Sequence, residues 1–459
     1  MDISELTEAV QAKIAALEYT NEGNTHAFLE LYNGRFHHNE QVGWLKWVGT
    51  HWSASGAEPS VKRAMLNTLK IRRVIGAKHN VEWGKYKRVM GETRELNGAL
   101  SILMAMSSIF MAYEDFDQAT GFLNVANGVL DLRRGVLSPH HPSQKFTYCI
   151  ATKYKPEAVA PDWDAFLTSA GMDDETKDYI QKAVGYSMTG ETSEEIMFYL
   201  YGKPRSGKGT FVETLALMMG ELGTGVNFRS FTSERHGDTS NFDLAPLKNK
   251  RFLTASESSR FRQLNTAMIK QITGGDYIYC SFKRKDHFSY KPAFVVWLTS
   301  NWPINADVDD DAAWGRLKPI EFKNSFLGKE DKTLKPRLRS KASLEGVLAW
   351  AVRGAMSWYE SLPQGLQTPD SVKLTSATHR QELDSIGAFV DEVCVIKSDA
   401  FTVGATLYTS YKDWCEDEGH KPRGRRTFTQ SLEGKGITSM VKKVAGKGAR
   451  GYSGIGIAA

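Results

Sequence analysis

The chain has 459 residues, 24% of them charged and 41% hydrophobic, with a formal net charge of +5. Such a balance excludes disordered and collagen-like chains, and the length suits about two to four domains with sizeable cores. Cys149, Cys280, Cys394 and Cys415 lie far apart, without zinc-finger spacing or a disulfide framework, so a reducing, intracellular setting is expected.

In chain order, the first thirty residues read as a polar amphipathic helix, and the acidic start Met1-Asp2-Ile3-Ser4-Glu5 lacks the apolar stretch of a signal peptide. Gly43 to Trp52 reads as a small β-hairpin unit. Its tryptophans Trp44, Trp47 and Trp52 serve either as a small core, the favoured reading, or as a base-stacking platform. His37 and His38 have no Cys or carboxylate at ligand spacing, so no metal is expected there. Helical patterns dominate from Pro59 to Tyr113, basic at first (Lys62, Arg63, Lys70, Arg72, Arg73, Lys78, Lys85, Lys87, Arg88). The uncharged stretch from Asn97 is short for a bilayer span and is expected to be a buried helix, with no membrane partner. Asn127-Gly128 between apolar runs predicts a hairpin, and helices are expected from Asp162 to Gly190.

The most informative stretch follows. Ile196 to Tyr201 is an apolar strand pattern. It enters Gly202-Lys203-Pro204-Arg205-Ser206-Gly207-Lys208-Gly209-Thr210-Phe211, and helical periodicity runs on to Met219. Strand, glycine loop, lysine, helix is the layout of a phosphate-binding loop, in which backbone N–H groups and a helix N-terminus cradle an anion. Gly202, Ser206, Gly207, Lys208, Gly209, Thr210 and Phe211 are therefore the candidate ATP-binding residues. Gly209 stands where the usual pattern has the Mg²⁺-contacting hydroxyl, so Thr210 is expected near the α-phosphate. A glycine turn ahead of a core helix is the plainer alternative.

Downstream, Arg251 to Ser256 is an apolar strand ending on Glu257, a candidate to orient attacking water or to hold Mg²⁺ through water. Phe294 to Ser300 is another, ending on Asn301, where a neutral amide can polarise water near the γ-phosphate. Trp314-Gly315-Arg316 places a guanidinium that a neighbouring subunit could supply in trans, and the Asp307–Asp311 run is read as part of the ATPase. Between the strands, Lys270 to Phe288 predicts a hairpin whose tip carries Lys283, Arg284, Lys285 and His287, candidates for DNA phosphates; a solvated turn is the alternative. Phe401 to Gly419 reads as a capped helix, followed by a second helix after Arg425 and Arg426. Gly436 to Gly456 reads as a strand–loop–strand wing, and the strongly basic end of the chain suits phosphate contact.

The order of these signals resembles the superfamily 3 helicase module, and more closely the phage and plasmid primase–helicase family that includes the poxvirus-type replicative helicases. Asn124 to Leu132 and Trp44 to Trp52 resemble that family's N-terminal region, so the resemblance covers the chain from about residue 30 onward. It implies an α/β fold: a P-loop AAA+ core with a parallel sheet and helices, preceded by an α+β region and followed by a winged helix. The expected divisions are 1–120 for the N-terminal region, 121–160 for a hairpin connector, 161–360 for the ATPase core and 385–459 for a DNA-binding winged helix. It further implies a hexameric ring that hydrolyses ATP with Mg²⁺ and translocates 3′–5′ on single-stranded DNA, engages origin DNA, and works beside a primase or polymerase in the cytoplasm of a bacterial host. By position, Lys208 and Thr210 would bind phosphates, Glu257 would be the Walker B acid, Asn301 sensor 1 and Arg316 the finger, with Lys285 and His287 on a pore hairpin. This sequence departs from the family at Gly209, at Ser256, where a second acid is usual, and at Gly315, where a second arginine is common. No zinc ribbon or acidic polymerase constellation is visible, so primer synthesis is not expected. Two other readings stand beside this one: a nucleoside-monophosphate-kinase-like phosphotransferase, from Gly207-Lys208-Gly209-Thr210, and an origin-binding or structural ring protein with weak ATPase.

Overall fold

The structure, a computed structural model, describes residues 3–78, 93–232, 244–257, 263–281, 287–444 and 447–458. At the N-terminal end, helices α1 (Glu8–Ala16), α2 (Asn21–Tyr32), α3 (Ala57–Lys78) and α4 (Thr93–Ala105) pack with an antiparallel sheet of β1 (Phe36–Asn39), β2 (Gly43–Trp47) and β3 (Trp52–Ser53). The single helix expected over the first thirty residues is two. Thr20 caps the second by accepting from the Gly23 N–H at 3.1 Å, and a side chain at Gly23 would collide with the Glu18 carbonyl. The helix expected from Asn97 onward ends at Ala105, well short of Tyr113. Trp44 and Trp52 are core residues, and the Trp52 indole donates to the Pro142 carbonyl at 2.9 Å. Of the basic residues expected on these helices, Lys85, Lys87 and Arg88 lie outside the described residues.

A meander follows: β4 (Phe122–Val125), β5 (Gly128–Asp131) and β6 (Val136–Ser138), with its first turn at Asn127-Gly128. Gly128 has φ 153°, and a Cβ there would sit 2.6 Å from the Ser138 carbonyl, so only glycine fits. Buried Asn124 binds the carbonyls of Tyr148 at 2.6 Å and Thr50 at 2.9 Å, fastening the meander to the N-terminal sheet.

The centre is mixed α/β. Strands β7 (Met197–Tyr201), β8 (Gly223–Gly225), β9 (Phe252–Ser256), β12 (Val295–Ser300) and β13 (Leu317–Glu321) form a five-stranded parallel sheet in the order β13-β7-β12-β9-β8. Alternate side chains feed two cores. Phe198, Leu200, Phe252, Trp297 and Ile320 face one, against α5 (Pro161–Ser169), α6 (Asp174–Thr189), α7 (Lys208–Met219) and α11 (Lys341–Glu360). Met197, Tyr199, Leu253, Val296 and Leu298 face the other, with α8 (Thr266–Thr273) and the hairpin of β10 (Ile278–Ser281) and β11 (His287–Tyr290). Trp297 on the middle strand stacks on Phe198 at 4.1 Å and donates to Ser187 Oγ at 3.1 Å. Helices α9 (Asp311–Arg316) and α10 (Leu334–Leu338) flank the last strand of this unit in sequence.

Buried Arg251 joins the meander to this sheet. Its guanidinium donates to the carbonyls of Phe122 at 2.7 Å, Met188 at 2.5 Å and Ala119 at 3.2 Å. These are charge-assisted bonds from a buried guanidinium, so Arg251→Ala is expected to cost about 3 kcal/mol of stability. A fall in the thermal unfolding midpoint, with loss of amide protection around Phe122, would show it.

The C-terminal unit holds α12 (Asp370–Leu383), α13 (Ser385–Val393), β14 (Cys394–Val403), α14 (Gly404–Asp417), α15 (Arg425–Gly434), β15 (Thr438–Val444) and β16 (Lys447–Ile457), with an antiparallel sheet in the order β14-β16-β15. Phe401 to Val403 corrects the expected helix start. These residues pair with Gly451 to Ser453 as strand, because β-branched Thr402 and Val403 suit a ladder, and the helix begins only at Gly404.

Candidate functional site

The loop between β7 and α7 forms one wall of a cleft at the C-terminal edge of the parallel sheet, where ligands of open α/β sheets bind. Its glycines are required by space and conformation. Gly202 has φ 146°, and a Cβ would lie 2.3 Å from the Phe322 carbonyl; Gly207 has φ 98°, and a Cβ would lie 2.8 Å from the Phe166 ring. Arg205 between them is also left-handed, at φ 60°. The strip after β13 holds it there: Phe326 N–H donates to the Arg205 carbonyl at 2.9 Å and Ser325 Oγ to that of Pro204 at 2.7 Å.

Lys208 opens α7, buried, and curls back into the loop. Its ammonium donates to the carbonyls of Gly202 at 2.8 Å and Lys203 at 3.0 Å, and to Ser206 Oγ at 3.0 Å. Burial pushes its pKa down to about 8, since no carboxylate offsets the lost hydration. Glu257 follows β9, with its N–H bonded to the Thr299 carbonyl at 2.8 Å, and Asn301 follows β12. The cleft, about 270 Å³, brings together Ser206, Gly207, Lys208, Gly209, Thr210, Glu257 and Asn301.

Other proposed residues stand elsewhere. The Phe211 side chain does not line the cleft; its ring is fully buried, stacked on Trp163 at 5.3 Å. Arg316 points away from its own chain's cleft, paired with Glu195 and donating to Thr273 Oγ1 at 3.1 Å. Lys283, Arg284 and Lys285 lie outside the described residues, while His287 is exposed at the start of β11. Arg425 and Arg426 are exposed on the first turn of α15, Arg425 over the Tyr408 ring. The acidic run is not at the cleft but at the seam with the C-terminal unit. Asp307 and Asp309 face Arg423 at 3.7 and 3.8 Å, Asp311 pairs with Arg380, and Asp310 with Lys270 at 2.9 Å.

Sequence reasoning missed Arg205, Ser256, Thr299, Ser300 and Lys335, all in the cleft lining. Lys335 comes from α10 and is held at 2.8 Å by Glu213 of α7, a pairing no local pattern announces. A second cleft of about 560 Å³ opens beside the first, sharing Arg205, Gly207, Thr210 and Lys335. Its apolar wall is Ala165, Phe166, Phe326 and Leu334. A polar, cation-lined cleft joined to a half-apolar one suits a ligand with an anionic end and a flat apolar end. Among the described residues, no three His, Cys, Asp or Glu side chains group as a metal site. One carboxylate beside the loop hydroxyls nevertheless fits Mg²⁺, which keeps several waters and takes its other oxygens from phosphates. No described helix is long and apolar enough to cross a membrane.

Three protein families match successive parts of the chain. "D5 N terminal like" matches residues 25–170, a "Family of unknown function (DUF5906)" residues 200–316, and "Poxvirus D5 protein-like" residues 381–435. The "Putative helicase L207/L206" of Acanthamoeba polyphaga mimivirus is 29% identical over 193 residues, 40% of this chain and 20% of that protein. The chain thus spans about a fifth of that relative's length. Among solved structures, an apo form of the NrS-1 C-terminal region aligns with a TM-score of 0.49 at 12% identity, covering 91% of this chain and 95% of that one. A second apo structure of the region aligns with a TM-score of 0.41 at 14% identity, over 74% and 95%. Segments similar to D5-type proteins therefore lie on both sides of the five-stranded parallel sheet, and a relative bearing a helicase name is similar across part of the chain.

Proposed function

We propose that the chain is an ATP-driven replicative DNA helicase of the superfamily 3 type, from a phage, plasmid or other mobile element, acting as a hexameric ring on single-stranded DNA. The observation that carries this reading is the convergence of Lys208, Glu257 and Asn301 on one cleft at the sheet's C-terminal edge. The D5-type matches support the replicative assignment.

The triphosphate sits on the N-terminus of α7, cradled by the loop N–H groups. Lys208 exchanges its loop carbonyls for phosphate oxygens, and the base enters the half-apolar cleft beside Phe166 and Phe326. Glu257 orients the attacking water and accepts its proton, while Asn301 holds that water by hydrogen bonding. Glu257, through water, and the phosphates would hold Mg²⁺, which would neutralise charge on the γ-phosphoryl group. Arg316 serves the cleft of a neighbouring subunit. The basic β10–β11 hairpin and the exposed Arg425 and Arg426 of a winged-helix-like tail contact DNA phosphates.

The test is steady-state ATP hydrolysis with and without single-stranded DNA. Stimulation by DNA is the expected result, and hydrolysis indifferent to DNA overturns the motor reading. Two further outcomes are expected. Arg316→Ala should leave nucleotide affinity near that of the native chain yet lower turnover about 1,000-fold, as loss of a finger does; native turnover in that variant returns Arg316 to a purely structural role with Glu195. The second concerns pH. Phosphate stabilises charged Lys208, whose pKa in the free protein is about 8, so above that value binding must first take up a proton. Affinity for ATP should therefore fall as pH rises through 8, by about tenfold per unit beyond it. Titration of a fluorescent ATP analogue between pH 7 and 9 measures this.

A further inference from the structure

Tyr199 lies on β7, one strand removed from β9, with β12 between them. The register sets Tyr199 opposite Leu298 and Leu298 opposite Ala255, so the ring reaches across the middle strand toward the residue just past β9. There its hydroxyl donates to Glu257 Oε2 at 2.8 Å. The same oxygen lies 3.2 Å from the Trp302 carbonyl and 3.4 Å from that of Pro303, in the turn that leaves β12 just after Asn301. A phenol has one proton, and a carboxylate is a stronger acceptor than a peptide carbonyl. Both partners are buried, Tyr199 to 1% exposure and Glu257 to 8%. A hydroxyl at this position has a purpose only for what it binds: a phenylalanine would fill the same core at no polar cost. Burial and the adjacent carboxylate hold the phenol's pKa well above its ordinary value, so the group stays a donor.

We propose that Tyr199 is a positioning residue for the hydrolysis argued above: its hydroxyl, donating to Oε2, fixes the orientation of the Glu257 carboxylate at the cleft edge. The inference rests on that hydrolytic reading. Tyr199 does not line the cleft. It acts through Glu257, and a donor to the charged form of a carboxylate lowers that carboxylate's pKa.

The test is Tyr199→Phe, which keeps the ring. Turnover should fall about tenfold or more, the usual consequence of losing a hydrogen bond to a charged group. KM for ATP should stay within about twofold, because binding falls to the loop and Lys208. The acid limb of the kcat–pH profile should move to higher pH, since Glu257 loses a donor. In a Glu257→Gln background the same change should add no further loss. As a second measurement, 3-fluorotyrosine at position 199, a stronger donor, should move the acid limb the other way, and this holds even where the Phe variant folds poorly. If the native chain does not hydrolyse ATP, the hydrolytic reading falls and this inference with it. If the native chain hydrolyses ATP and the Phe variant keeps its turnover and its acid limb, this inference alone falls.

Discussion

Lys208→Ala should abolish ATP turnover, by about 100-fold or more, while the fold survives. The size follows from the proposed role: a cation delivered to transferring phosphoryl oxygens contributes at least as much as one oxyanion-hole donor. Survival of the fold follows from its partners. The ammonium binds the Gly202 and Lys203 carbonyls and Ser206 Oγ, all in the loop lining the cleft, where water can replace it. Removing it also relieves the desolvation that holds its pKa near 8. Initial rates of phosphate release beside a thermal melt decide the matter. A variant that keeps more than about a tenth of native turnover would remove Lys208 from the phosphate site.

The second large effect is structural. Helices α6 and α11 cross with Gly185 and Gly354 at their contact. A Cβ on Gly185 would lie 2.1 Å from the Ala355 nitrogen, and one on Gly354 1.9 Å from the Gln181 carbonyl. Both obstacles are backbone, which cannot rotate aside. In an isolated helix, replacing glycine by alanine gains about 1 kcal/mol. Here Gly354→Ala should instead cost about 3 kcal/mol, because the helices must part and the core between them loosens. The sign of the change in unfolding midpoint is the readout, and stabilisation would mean that the helices do not touch there. Because α10, with Lys335, directly precedes α11, the same variant should also raise KM for ATP.

The parts of this architecture that read well from the chain are those whose cause is local. Strand β12 is buried at every position, as a central parallel strand must be, and shows as the unbroken run Val295 to Ser300. The loop before Lys208 is legible because only glycine tolerates φ 146° and 98° at Gly202 and Gly207. The parts that did not read well depend on distant partners. Phe211 belongs to the motif by position but to the core by direction, since the fourth helical residue faces Trp163. Lys335 enters the cleft lining from 122 residues beyond Glu213, its counter-ion. Tyr199 looks like one more aromatic in a strand until β12 sets its distance from Glu257. The Asp307–Asp311 run is unmistakable as charge, but its neighbour Arg423 is brought there by the fold.

That acidic seam is the ionic part of the tail's attachment. The C-terminal unit has its own core of Ile386, Phe389, Leu407, Tyr411, Phe428 and Ile455. Across the seam Arg423 meets Asp307 and Asp309, and Arg380 meets Asp311, with side chains half open to water. Exposed pairs of this kind contribute about 0–1 kcal/mol each and weaken as salt screens them. The ionic part of this attachment therefore yields to electrolyte, whereas the apolar part does not: α12 buries Val372 in one central core, packs Leu383 against the other and sets the His379 ring against Tyr201.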